Sequence, residues 1–185
     1  MSTKQTVKLE TEIDIPSDVT VTLKSNILQV KGPVGKVFRS FKKIPVNIEV
    51  KNNKIILKAT GTRKKHYAIL NTSKSLIKTL CNGVLKGYTI KMKIVYSHFP
   101  VTVQVEDKKV LIKNFQGEKA ARTITIMGDT KITPQKDDVI LTGPVLTDIT
   151  QTAARIELKT KVKNKDHRVF LDGIYRYYKS EGIEK

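Results

Sequence analysis

The sequence predicts an α+β protein: two tandem copies of a small module of antiparallel strands packed on one helix, plus a basic C-terminal arm. Three observations carry this. Short runs in which apolar and polar residues alternate recur along the chain, the period of half-buried strands. Two stretches switch to three- and four-residue spacing, the period of a helix face. The strand runs and helical stretches of the two halves also overlay, at an offset of about 82 to 84 residues.

Residues 7–15 alternate loosely and stop at Pro16. Val19, Val21 and Leu23 alternate with Thr20, Thr22 and Lys24, and Ile27-Leu28-Gln29-Val30 returns after the polar turn Lys24-Ser25-Asn26, so the pair reads as a hairpin. Gly32-Pro33-Val34-Gly35 breaks it. Val37–Phe41, Val46–Val50 and Ile55-Ile56-Leu57 follow as short strands, the last two joined by Lys51-Asn52-Asn53-Lys54. From about Arg63, Ile69, Ser73, Leu76, Ile77 and Leu80 share a helix face, with Asn82-Gly83 as the expected stop. Tyr88–Tyr96 is a long strand. The pattern then repeats: Val101, Val103 and Val105, the turn Glu106-Asp107-Lys108, and Val110-Leu111-Ile112.

In the overlay, Val19, Val21 and Leu23 fall on Val101, Val103 and Val105, and Ile55-Ile56-Leu57 on Val139-Ile140-Leu141. Ile15-Pro16 has its echo in Phe99-Pro100. The second half also ends in a helical pattern, with Ile149, Ala153, Ile156 and Leu158 as its face and Asp148 in the first turn, where the helix dipole favours a carboxylate. A period this long is a repeated domain, not a solenoid. Each copy must wrap a small sheet around its helix to bury the apolar stripe. The expected division is 1–88 for the first module, 89–160 for the second and 161–185 for the arm and tail.

Composition limits the functions. With 39% hydrophobic and 28% charged residues, the 185-residue chain can build a packed core. Its formal charge of +18, from 35 Lys and Arg against 17 Asp and Glu, opposes compaction and calls for a polyanionic partner. No apolar run approaches the roughly 20 residues of a membrane span. A single cysteine, Cys81, rules out an intrachain disulfide and suits a reducing compartment; on the helix it reads as a small buried hydrophobe. The charge is also uneven: between Glu49 and Glu106 there is no acid, which argues for a polyanion surface including Arg63, Lys64 and Lys65.

The densest basic segment is Lys159 to Tyr175. Lys159, Lys161, Lys163 and Lys165 alternate, with Arg168 close behind. In an extended chain they would form a row of ammonium groups roughly 7 Å apart, matching successive phosphates. Val169, Phe170, Leu171, Ile174 and Tyr175 would pin that row to a core. Tyr175, Arg176, Tyr177 and Tyr178 offer groups that can stack on unpaired bases. Lys119 and Arg122 are further candidate phosphate contacts. The competing reading of such a run is a solvated, Lys-rich loop.

Signs of catalysis are missing. Gly32-x-x-Gly35-Lys36 lacks the spacer and the hydroxyl residue of a phosphate loop and reads as a tight turn. His66, His98 and His167 are far apart, and one cysteine cannot seed a zinc set. Asp137-Asp138 reads as a polar turn. Tyr96 and Phe99 are assigned to the core or to the junction between modules. No catalytic residue, metal or cofactor is expected.

Four blocks carry a resemblance. They are Val30-Lys31-Gly32-Pro33-Val34-Gly35; Val95-Tyr96-Ser97-His98-Phe99-Pro100; Asn114-Phe115-Gln116-Gly117-Glu118-Lys119; and Val162–Tyr175. In order and spacing they resemble large-subunit ribosomal protein six in its eukaryotic and archaeal form, numbered nine in eukaryotes, from about Ile13 to Tyr175. That resemblance implies two copies of one fold and binding to large-subunit ribosomal RNA near the sarcin–ricin loop, beside the docking region of translational GTPases. It implies RNA contacts at Lys161, Lys163, Asn164, Lys165, Arg168 and Tyr175; Lys159, His167 and Arg176 are further candidate RNA-binding residues of the same segment. Thr60-Gly61 stand where eukaryotic relatives often carry a tryptophan pair, and His167 where relatives tend to have an aliphatic residue.

The expectation is therefore a non-enzymatic constituent of the large ribosomal subunit, in the cytoplasm with nucleolar assembly if the source is eukaryotic. Its partners would be large-subunit RNA, neighbouring ribosomal proteins and nearby translational GTPases, with no membrane. The rival is a free basic adaptor that binds an acidic protein or an anionic membrane surface.

Overall fold

The computed structural model describes residues 8–51, 53–61, 63–166 and 168–183; His167, Asn52 of the expected turn and Val7 of the expected first strand lie outside the described residues. The chain forms two compact units, Met1–Lys86 and Gly87–Lys185.

The first unit runs β1 (Lys8–Asp14), β2 (Thr20–Lys24), β3 (Ile27–Lys31), β4 (Lys36–Ser40), β5 (Asn47–Lys51), β6 (Lys54–Thr60) and α1 (Lys64–Leu85). These strands make two antiparallel sheets, in the orders β1-β6-β5 and β2-β3-β4. The β2–β3 hairpin closes on Ser25 and Asn26, both at positive φ, the two-residue turn whose twist matches paired strands. Leu28, Val30, Phe41, Ile55 and Leu57 are buried, and α1 covers them with Leu70, Ser73, Ile77, Leu80, Cys81 and Val84. Its spacing is the three-and-four rhythm of one helix face.

The helix runs past the expected stop: Gly83 is buried within α1, which ends at Leu85. The helix ends at the C-cap Lys86, followed by Gly87 at φ +76°, and the Gly32–Gly35 turn packs on its last turn. Gly32 N–H donates to the Gly35 carbonyl at 2.9 Å, and Val34 N–H donates to the Val84 carbonyl at 2.9 Å, capping the last turn of α1. A Cβ on Gly32 would lie 2.6 Å from that carbonyl oxygen, so only glycine fits. The Gly-x-x-Gly signal is thus a helix-capping turn. Cys81 is buried, and loss of hydration pushes its thiol pKa up. A thiol reagent should label it slowly in the native chain and rapidly in denaturant; equal rates would contradict this packing.

The second unit repeats the plan. It contains β7 (Tyr88–Val95), β8 (Thr102–Glu106), β9 (Lys109–Lys113), a 3-10 turn (Phe115–Gly117), β10 (Arg122–Thr125), β11 (Lys131–Pro134), β12 (Asp138–Gly143), α2 (Leu146–Lys159) and β13 (Gly173–Glu181). The sheet β10-β9-β8 matches β4-β3-β2, and β11-β12-β7 matches β5-β6-β1. The second copy therefore starts at β7. Its core joins Ile90, Met92, Val110, Ile112, Phe115, Leu141, Ile149 and Ile156. Asp148 occupies the first turn of α2 and Lys159 the last, each the favoured sign for that helix end.

The departure from simple duplication is β13. It pairs antiparallel with β7 from Gly173↔Val95 to Glu181↔Tyr88, with a bulge between Arg176 and Tyr178. The expected appendage over 161–185 is instead knitted into the second unit, because β7 has a free edge that the first unit's β1 leaves unpaired among the described residues. Several side chains also face differently from expectation. Leu158 is exposed, because at 3.6 residues per turn it falls on the side of α2 opposite Ile149, Ala153 and Ile156. Tyr96 and Phe99 are exposed, as are Val169 and Leu171, so the clip on the basic segment is Val162, Phe170 and Ile174.

Candidate nucleic-acid interface

The basic segment is not one extended ribbon. Lys159 ends α2, and Asn164, at φ +57°, turns the chain. Between them the strand-like alternation does hold over one repeat: Thr160 and Val162 are buried, while Lys161 and Lys163 are exposed. Thr160 fixes this geometry. Its hydroxyl donates to the Ile156 carbonyl at 3.0 Å and accepts the Ile174 N–H at 3.1 Å, tying the end of α2 to the start of β13. Beyond the turn, the Lys165 ammonium lies 4.6 Å from the Phe170 ring centroid, a cation–π contact. Asp166 accepts the Arg168 N–H on its carboxylate at 2.9 Å and the Phe170 N–H on its carbonyl, closing a tight loop that presents Arg168 outward.

The buried Asp172 anchors the far side by accepting the Ser97 N–H at 3.0 Å. Among the described residues, Lys159, Lys161, Lys163, Lys165 and Arg168 make no ion pair. A cluster of unpaired cations held on a fixed loop can neutralise phosphates without first breaking internal pairs.

Other candidates divide. Arg122 is fully engaged inside the second unit. Its Nε donates to Glu118 Oε2 at 2.8 Å, its two terminal nitrogens donate to Glu118 Oε1 and the Lys159 carbonyl, and its guanidinium lies 4.2 Å from the Phe115 ring centroid. It is a strut that holds the last turn of α2, and with it Lys159, against the 3-10 turn. The same hydrogen bonds hold the Glu118 carboxyl below its ordinary pKa.

A carboxyl depressed in the folded state adds stability above its unfolded pKa, near 4.5, and loses it as pH falls through the folded value. Glu118→Gln should therefore reduce stability at neutral pH and flatten its decline in acid. Urea titrations at several pH values check both effects. Lys119 next to it is exposed.

In the first unit, Arg63 is the N-cap of α1, and Lys64 and Lys65 lie in the first turn, where there is no acid. All three are exposed. Cations there oppose the helix dipole, at a cost of about 0.3–1 kcal/mol each, a cost that a bound anion would reverse. The acid-free window of sequence is not acid-free in space. Lys54 pairs with Glu12 at 2.9 Å, Lys58 with Glu49 at 3.3 Å, Lys51 with Glu49 at 2.8 Å, and in the second unit Lys93 with Asp138 at 3.6 Å. The flanking strands β1, β5 and β12 supply these carboxylates, so among the described residues the exposed, unpaired part of that window is Arg63, Lys64 and Lys65 together with Lys78 and Lys86 on and after α1.

The edge strand β13 carries Tyr175, Arg176, Tyr177 and Tyr178, all exposed. Tyr178 stands opposite Lys91, whose ammonium is 5.0 Å from its ring centroid. Missed from sequence was a hollow of about 500 Å³ between the last turn of α2, residues 160–162 and Tyr175. Among the described residues no group of three His, Cys, Asp or Glu could hold a metal ion, and no helix is long and apolar enough to cross a membrane.

Comparison with known proteins accounts for the doubling. The family model Ribosomal protein L6 matches residues 15–87 and again 99–173, once per unit. Large ribosomal subunit protein uL6 of Staphylothermus marinus is 46% identical over 90% of this chain and 92% of its own length. Its namesake in Saccharolobus solfataricus is 40% identical over 97% and 99%. Protein uL6B of Saccharomyces cerevisiae is 38% identical over 96% and 97%. With both units matched in order and the archaeal and yeast relatives aligned almost end to end, the chain belongs to the ribosomal protein L6 family, a structural and non-enzymatic component of the large ribosomal subunit.

Proposed function

We propose that this chain holds large-subunit ribosomal RNA through the basic loop of its second unit, near the sarcin–ricin loop and the docking region of translational GTPases. The observation that carries this is the set of exposed cations at Lys159, Lys161, Lys163, Lys165 and Arg168, unpaired among the described residues on a loop fixed by Thr160 and Asp172. Asn164 and Tyr175 add polar and stacking groups, and Arg176 follows on β13. Arg63, Lys64 and Lys65 serve as a second contact, and Lys119 extends the first. Arg122 acts by positioning Lys159.

Binding rests on backbone and shape, because side chains cannot read the deep major groove of duplex RNA. Neighbouring ribosomal proteins are partners in the particle. The ribosomes are cytoplasmic, with assembly in the nucleolus where the cell has one. Sucrose-gradient fractionation of a native lysate tests the assignment. The chain should travel with large subunits and stay bound until high salt strips it. A free pool at low salt, with none in large subunits, would favour the basic adaptor instead.

A further inference from the structure

The hollow at the end of α2 has the makings of a base pocket. Its walls come from Leu158 on the last turn of α2, from Thr160–Val162, and from the ring of Tyr175 on β13. At about 500 Å³ it lies within the size range of small-ligand sites, about 300–1,000 Å³. Three features fix the ring. The Tyr175 hydroxyl donates to the Leu171 carbonyl at 3.2 Å. Gly173 lies beneath it, where a Cβ would come within 2.8 Å of the ring carbons. The Thr160 hydroxyl locks the α2 end to β13 by accepting the Ile174 N–H. Leu158 is 68% exposed and Tyr175 is 44% exposed, so two apolar surfaces border the hollow without covering each other.

The chemistry of the rim selects the occupant. Lys161 lines the hollow, and Lys159 and Lys163 flank it, all exposed and without acidic partners among the described residues. Such a rim favours a ligand that carries its own phosphates. The one carboxylate in the wall, Glu157, makes no ion pair among the described residues. A carboxylate offers two acceptors side by side. Among the four bases only guanine presents two adjacent N–H donors, at N1 and N2, on its Watson–Crick edge. Adenine and cytosine present one donor beside an acceptor, and uracil one donor between two carbonyls.

We propose that this hollow receives a single unpaired guanine of the bound RNA. The base stacks on Tyr175 against Leu158, its N1–H and N2–H donate to Glu157, and its phosphate meets Lys161. The proposal rests on the RNA-binding reading above. It adds a base-specific contact to a surface otherwise built for backbone, since unpaired bases are read on this edge and by stacking.

The test is a titration of the full chain, isotopically labelled at methyl groups, with the pentanucleotides UUGUU, UUAUU and UUUUU. The Ala154, Leu158 and Val162 methyls line the hollow and report its filling directly. UUGUU should shift them at a concentration at least tenfold lower than UUAUU or UUUUU. Glu157→Gln should abolish that preference, and Ala154→Leu, which fills the hollow, should remove the methyl shifts for all three. Shifts on the basic loop that are equal for the three oligonucleotides, with silent hollow methyls, would overturn the pocket and leave the RNA-binding reading standing. The hollow would then be free for a protein neighbour. Hollow shifts of equal strength for the three would overturn the guanine assignment. If no oligonucleotide shifted the basic loop or the hollow at low salt, the pocket would fail, and the RNA-binding reading would rest on the large-subunit fractionation described above.

Discussion

Replacing Lys161, Lys163, Lys165 and Arg168 together with alanine is expected to lower the slope of log affinity against log salt by about three, at roughly 0.7–0.9 for each phosphate no longer neutralised. At 0.1 M salt that corresponds to a loss of about a thousandfold in affinity for large-subunit RNA. The effect is large because these cations make no ion pair among the described residues, so binding breaks no salt bridge, and the contact at stake is the cation–π approach of Lys165 to Phe170. Folding should hardly change. All four side chains are exposed, and the loop is held by Thr160, Val162 and Asp172, which the variant keeps. A matched variant removing Lys51, Lys54 and Lys58 should behave differently. Those lysines already face Glu12 and Glu49, so their loss should alter the salt slope far less. Filter binding or fluorescence anisotropy over a salt series measures both.

Phe115→Ala is expected to destabilise the second unit by about 3–5 kcal/mol, the usual range for a buried aromatic ring. Phe115 is 0% exposed and packs in the same core as Ile112 and Ile124. Its ring also carries the Arg122 guanidinium, so the strut to the Lys159 carbonyl would loosen with it. For a unit of this size the midpoint of thermal unfolding should drop by roughly 15–30 °C. Phe99→Ala is the control. Phe99 is 46% exposed, and its loss should cost under about 1 kcal/mol. Equal losses for the two rings would contradict the packing described. Circular dichroism melts separate the cases.

Much of the fold was legible because its signals are local. The Val19–Val30 hairpin, both helices and the duplication follow from apolar spacing and turn residues, which act within a few positions. Strand β13 was not legible. Of Gly173–Glu181 only Gly173 and Ile174 are buried, and the bulge at Tyr177 breaks the two-residue period. An edge strand with one anchoring side chain leaves almost no alternation to read. Leu158 failed for a different reason: two residues past Ile156 it turns to the side of α2 opposite the stripe, so helical spacing itself places it in solvent.

Sequence windows misjudge charge for another reason. Lys54 and Lys58 have no acid near them along the chain, yet β1 and β5 flank β6 and place Glu12 and Glu49 against them. Arg122 differs again. Its partner Glu118 is only four residues away, but the chain between them is neither helix nor strand, so no periodic rule connects the pair. For the basic segment the alternation of lysines was a sound signal over Thr160–Lys163 and failed at Asn164, where a left-handed residue turns the chain.

The most direct measurement is a map of the assembled large subunit from the native source, at a resolution that places side-chain nitrogens. This account predicts Lys161, Lys163, Lys165 and Arg168 each within about 4 Å of a phosphate oxygen of the ribosomal RNA. A particle in which these four side chains point into solvent, or onto a neighbouring protein's carboxylates, would contradict it.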